Sequence, residues 1–149
     1  MSYIDLTVHA VFRTYRSEPV LPTDSHIDSL YYEVMRITKD LNCTLVRINA
    51  MPEHVHMLIS YPATITVAEM MRKIKSISSQ TIKAKPGFEQ FTAWGAGYAA
   101  LSKSSQDKPV VIKYIKNQQE HHKTLSFKDE YKSYIEEMGQ VIDERDWGR

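Results

Sequence analysis

Three residues, Met51-Pro52-Glu53, separate one strand-like run, Thr44–Ala50, from a second, His54–Tyr61. So short a connection between extended segments permits only an antiparallel pair, because a parallel return needs a crossover of a dozen residues or more. In the second run Val55, Met57 and Ile59 alternate with His54 and His56, and residues two apart in a strand share a face. The hairpin therefore supplies one apolar face for a core and stands two imidazoles side by side on the other. Such a pair is half of a metal site.

The rest of the chain is read around that hairpin. Residues 3–13 alternate, with Leu6, Val8, Ala10 and Phe12 opposing Asp5, Thr7, His9 and Arg13, the pattern of a half-buried strand. Residues 24–41 space Ile27, Leu30, Tyr31, Val34, Ile37 and Leu41 as one face of a helix. Thr66-Val67-Ala68-Glu69 fits a capping box, and Met70, Met71, Ile74, Ile77, Thr81 and Ile82 continue that helix to Pro86-Gly87. Residues 88–97 read as an aromatic loop and Tyr98–Ser102 as a fourth strand. Asp107 followed by Pro109 starts a helix that runs to about His122, and Ser126 starts another that closes near Gly139.

The first six elements run strand, helix, strand, strand, helix, strand. This predicts an α+β fold, a ferredoxin-like or RRM-like antiparallel sheet with helices packed on one face, plus C-terminal helices. At 149 residues, without repeat or linker, residues 1–149 make one domain. No apolar run approaches the ~20 residues of a membrane span, and the start lacks a signal-peptide pattern. The one cysteine, Cys43, excludes an internal disulfide framework and a cysteine-based zinc site. A cytoplasmic protein is the expectation.

Net charge is +1, but residues 125–149 carry seven acidic and four basic side chains, which leaves +4 on residues 1–124. The basic side chains are densest from Arg72 to Lys85, and no acidic residue occurs between Met70 and Phe88. On the capped helix Arg72, Ser76, Ser79 and Lys83 form a stripe, flanked by Lys73 and Lys75. A single-sign stripe with hydroxyls suits a phosphate backbone, though charged helix faces are usually just solvated. Phe91, Trp94 and Tyr98 offer stacking surfaces for bases, with core packing the safer assignment.

Taken alone, His54 and His56 read equally as two strand histidines bonded to backbone or water. A longer motif with a third histidine serves nucleotide hydrolysis, but that position holds Leu58. On the helix before His122, Tyr114 and Gln118 are four apart and share a face. Tyrosine can act as a covalent nucleophile and glutamine as an oxygen donor to a metal. Alone they also suit an interfacial tyrosine and a solvated glutamine. His121 and His122 diverge by about 100°, so at most one could join Gln118.

As an ordered set these residues resemble the single-tyrosine HUH transposases of small bacterial insertion sequences and their domesticated, repeat-associated relatives. His54-Val55-His56 matches the histidine, hydrophobic, histidine motif, and Tyr114 with Gln118 matches the tyrosine motif. The likeness extends through Val11–Arg16, Met70–Lys75, Trp94–Tyr98 and Glu120–His122. The resemblance implies a DNA endonuclease and strand transferase acting on single-stranded, hairpin-flanked ends. It implies a divalent cation, Mg2+ or Mn2+, on His54, His56 and Gln118, with Tyr114 as nucleophile through a 5′-phosphotyrosine. It further implies a homodimer with Tyr114 acting in trans. Glu53 is expected to leave the ligands untouched. The competing readings are a non-catalytic single-stranded nucleic-acid-binding module on the same fold, and a metal-dependent nuclease that uses water.

Overall fold

In a computed structural model describing residues 1–149, β1 (Thr7–Arg13) runs through the sheet with a neighbour on each edge. The neighbours are β3 (His54–Ser60) and β4 (Ala99–Ser102), and β2 (Thr44–Ala50) pairs outside β3. The order is β2-β3-β1-β4, with every pair antiparallel, as the two strand-helix-strand units require. No helix is long and apolar enough to cross a membrane.

Helices α1 (Asp28–Asp40) and α2 (Val67–Ile82) cover one face of the sheet. There Val8, Ala10 and Phe12 of β1 meet Val55, Met57 and Ile59 of β3, and Leu30, Val34, Met70, Met71 and Ile74 close the layer. Burial of these side chains, each of those larger than Ala10 contributing on the order of 1.5–3 kcal/mol, is the main stabilising term. A 3-10 turn at Ser25–Ile27, capped by the Asp24 carboxylate, opens the first helical segment, which becomes α-helical only at Asp28.

The opposite face is covered too, by α3 (Lys108–Lys116), α4 (Gln118–His121) and α5 (Phe127–Glu137). Phe127, Tyr131 and Tyr134 of α5 pack on Val11, Ala99 and Leu101, while Val111 and Ile115 of α3 pack on Leu58. All seven residues of β1 are consequently buried, a correction to the half-buried reading. A strand's own alternation cannot reveal that helices distant in sequence return to its polar face.

Two local expectations change. Thr66 Oγ1 accepts the backbone N–H of Glu69 at 3.0 Å, but the Glu69 carboxylate turns to Arg72 instead of closing the capping box. The helix from Asp107 breaks at Asn117, which separates α3 from α4. Gln119 clasps Asn49 of β2 through two side-chain hydrogen bonds of 2.8 and 2.9 Å, and Asn49 also donates to the Ile115 carbonyl. That clasp fixes the break against the sheet and turns the adjacent Gln118 inward.

Candidate functional site

Register across β1 and β3 sets Arg13 opposite His54, Val11 opposite His56 and His9 opposite Leu58. Directly opposed residues share a face, so His9, Arg13, His54 and His56 all point toward α3–α5. The two histidines are fully buried, with ring centroids 5.0 Å apart.

Their Nε2 atoms face inward onto Glu130 of α5. Its Oε1 lies 3.0 Å from His56 Nε2, 3.4 Å from His54 Nε2 and 3.0 Å from His122 Nε2. Gln118 joins the group: its Oε1 is 3.3 Å from His54 Nε2 and 2.9 Å from His122 Nε2, and its Nε2 donates to Glu130 Oε2 at 3.0 Å. Tyr114 donates its hydroxyl hydrogen to Glu130 Oε2. Thus the structure brings Tyr114, Gln118, His54 and His56 together within one chain.

The outward nitrogens are held as well. Glu53 Oε1 lies 2.6 Å from His54 Nδ1, and His9 Nε2 lies 2.8 Å from His56 Nδ1. Glu53 therefore does touch a candidate ligand, contrary to expectation, because the tight turn folds its side chain back over the next residue. Phe127 stacks on the His54 ring at 4.0 Å and closes the site from above.

Electrostatics follow from this burial. Desolvation pushes the imidazolium pKa of His9 down to about 3 and of His56 to about 4, so both rings are neutral near pH 7. Burial acts the same way on His54, but hydrogen bonds to Glu130 and Glu53 outweigh it and raise its pKa. Burial alone would protonate Glu130; hydrogen bonds from His122, His54 and His56 overcome that and keep it ionised. Tyr114 is pushed up to about 12, by burial first and by the Glu130 contact second.

The cluster His54, His56, His122 and Glu130 has the donor chemistry of a metal site, with all four ligand atoms within 4.8 Å of one another. Ligands about 2.1 Å from a cation stand about 3.0–3.4 Å apart at octahedral or tetrahedral angles. The observed carboxylate-to-imidazole spacings of 3.0–3.4 Å match that range. Glu130 is also a fully buried carboxylate bonded only to imidazoles, an amide and a phenol, with no lysine or arginine beside it. A cation fits this charge deficit.

The sequence leaves one of these residues open and misses another. His122 was weighed with His121; the structure selects His122, while His121 stacks on Tyr114 at 4.5 Å. In the sequence Glu130 stands only as one of the seven acidic side chains of residues 125–149. The available signal was its position on the Phe127, Tyr131, Tyr134 face of α5, where a carboxylate among aromatics is anomalous.

The basic stripe lies across the sheet from this cluster. Arg72, Lys75, Ser76 and Ser79 line an open groove of about 580 Å³ with Tyr15, Ala68 and residues 93–98. Arg72 is paired with Glu69 at 2.7 Å, and Lys73 lies 3.7 Å from the same oxygen. Lys75 donates to the Gly95 and Gly97 carbonyls at 2.7 and 2.8 Å, and burial lowers its pKa to about 8. Lys83 is exposed at the end of α2. Phe91 and Trp94 are buried in the core, where Trp94 Nε1 donates to Ser78 Oγ, and Tyr98 borders the groove.

The sequence matches the family described as "Transposase IS200 like" over residues 2–118. No match is found among curated proteins. Among solved structures, a candidate transposase from Deinococcus radiodurans R1 superposes with a TM-score of 0.61 at 22% identity, covering 78% of this chain and 93% of that one. A REP-associated tyrosine transposase bound to a REP hairpin gives 0.59 at 17% identity, covering 82% of this chain and 72% of that one. At these identities the two structures speak for the α+β fold.

Proposed function

The chain belongs to the family of IS200-like transposases, and from that premise we propose that it nicks and rejoins single-stranded DNA through Tyr114. The observation that carries the reading is the convergence of Tyr114, Gln118, His54, His56, His122 and Glu130 on one buried point.

In this reading Tyr114 Oη attacks the scissile phosphorus. An Oη–P bond forms, the P–O3′ bond breaks, the phenol proton leaves and the departing 3′-oxygen gains one. The products are a 5′-phosphotyrosine and a free 3′-hydroxyl; attack by a second 3′-hydroxyl then releases Tyr114 and joins a new strand. Bond energy is conserved in the covalent link. His54, His56 and Gln118, with His122 and Glu130, would hold Mg2+ or Mn2+, which when bound polarises a non-bridging phosphate oxygen and offsets developing charge.

Every candidate ligand except His122 is fully buried, so a phosphate enters only when α5 lifts Phe127 off the His54 ring. The arrangement within one chain is thus a closed resting state. An α3–α5 arm released at residues 103–107 and docked on the sheet of a second copy delivers Tyr114 and Gln118 in trans within a homodimer. Ser76 and Ser79, with Arg72, Lys73 and Lys83, contribute to a path for single-stranded DNA beside the groove, Lys75 bracing the Gly95 and Gly97 carbonyls at its edge, and hairpin-flanked ends are the proposed substrate. The REP hairpin held by the structural relative supports that choice.

The test is incubation of the protein, Mn2+ and labelled single-stranded DNA bearing a hairpin, followed by a denaturing gel. A protein-linked DNA band is expected. Cleavage without that band indicates a water-using nuclease, and metal-independent binding without cleavage indicates a binding module.

A further inference from the structure

We infer that His9 is a positioning residue that holds the ring of His56 and, when a cation replaces the Nε2 hydrogen now directed at Glu130, accepts the His56 hydrogen at Nδ1, so that Nε2 presents its lone pair to the cation. The inference rests on the metal reading of the cluster proposed above.

A neutral imidazole carries one N–H. For His56 Nε2 to bind a metal, that hydrogen must sit on Nδ1, and a buried Nδ1–H needs an acceptor. The acceptor provided is His9 Nε2 at 2.8 Å. His9 reaches it diagonally across the β1–β3 pair, since its direct partner is Leu58. With His56 Nδ1–H donating, His9 Nε2 must be the unprotonated nitrogen, which places the His9 hydrogen on Nδ1.

His9 is held on its other sides. It is buried, its ring lies 5.1 Å from that of His56, and the Tyr134 ring meets it edge-on at 5.4 Å. Tyr114 borders it at 6.2 Å. A ring so enclosed cannot turn away from His56 without unpacking α5. The sister ligand is held by a different chemistry, because Glu53 Oε1 takes His54 Nδ1 at 2.6 Å. Each histidine of the pair is therefore gripped by its outward nitrogen, one by a carboxylate and one by an imidazole. His9 is not itself a ligand: it reaches the cluster only through His56.

Outer partners of metal-bound histidines typically change metal affinity by about 10–100-fold. Mn2+ titration followed by electron paramagnetic resonance tests the assignment on wild type, His9→Phe and His9→Gln. Phenylalanine keeps the bulk without an acceptor, whereas glutamine keeps an acceptor of similar reach. The expected result is a loss of about 10–100-fold for His9→Phe and recovery to within a few-fold for His9→Gln. Long-range 1H–15N correlation on Mg2+-loaded wild type should find His56 protonated at Nδ1, a readout independent of how either variant folds. Wild-type Mn2+ affinity in His9→Phe, or a Mg2+-loaded His56 protonated at Nε2, overturns the inference while leaving the metal site intact. Failure of the wild type to bind Mn2+ overturns the metal reading, and this inference with it.

Discussion

Tyr114 donates its hydroxyl hydrogen to Glu130, the same carboxylate on which three imidazoles converge. The contact places the proposed nucleophile in the site and at the same time keeps it protonated. With its pKa pushed up to about 12, by burial and then by Glu130, little Tyr114 is phenolate near neutrality. Under single-turnover conditions, where deprotonation accompanies attack, the cleavage rate should rise about tenfold per pH unit from pH 6 to 9. A flat profile over that range would show that phenol ionisation does not govern the step.

Stability should move with acid as well. The folded-state pKa values of His9 and His56, about 3 and about 4, lie below the unfolded value of about 6.5. The unfolded chain therefore binds protons first as pH falls, and stability is lost from about pH 6.5 toward 4. Each ring contributes up to about 1.4 kcal/mol per pH unit. Glu130, also depressed, adds loss at the acid end. His54, with a raised pKa, acts oppositely: its contribution is present below about 6.5 and fades as pH rises through its folded value. Urea denaturation of metal-free protein from pH 7 to 4.5 should show a net decline; constant stability would contradict the buried neutral pair.

The cluster also predicts which residues matter for the cation. His56→Ala should weaken Mn2+ binding by at least about 100-fold and Glu130→Gln by about 10–100-fold, whereas His121→Ala should change it little. Isothermal titration distinguishes them. Equal effects at His121 and His122 would refute the ligand set, because His121 stacks on Tyr114 outside the cluster.

How much of this was legible in the chain depends on sequence distance. The β2–β3 hairpin was readable because Met51-Pro52-Glu53 leaves one way back, and α2 because Thr66 caps it. Tyr114 and Gln118 were readable as a pair, yet their meeting arises from the break at Asn117 and the Gln119–Asn49 clasp, which no helical spacing announces. Glu130 stayed hidden because its partners, His54 and His56, lie more than seventy residues away in sequence. Charge runs misled in one respect. The stripe free of acids from Met70 onward begins one residue after Glu69, which already neutralises Arg72 one turn on.

That pairing yields a prediction for DNA binding. Glu69→Gln frees Arg72 and should strengthen single-stranded DNA binding, while Lys83→Ala should weaken it and make the salt slope shallower by about 0.7. Lys75→Met should instead cost about 1–3 kcal/mol of stability, because Lys75 ties down the Gly95 and Gly97 carbonyls. Gly95→Ala should loosen the same loop, since a Cβ there would lie 2.9 Å from the Thr14 carbonyl oxygen. Fluorescence anisotropy across a salt series, paired with thermal melts, separates the two classes.

Subunit mixing addresses the dimer. Tyr114→Phe and His56→Ala, each inactive alone, should regain cleavage when co-refolded, because one composite site then holds an intact tyrosine and an intact histidine pair. No recovery in a verified mixed dimer would assign cleavage to the arrangement within one chain.

Peptide mapping of the protein–DNA adduct tests the central claim most directly. After nuclease and protease digestion, mass spectrometry should find the nucleotide phosphate on Tyr114 and no adduct in the Tyr114→Phe variant. A nucleotide on any other residue, or undiminished adduct from Tyr114→Phe, would contradict the account.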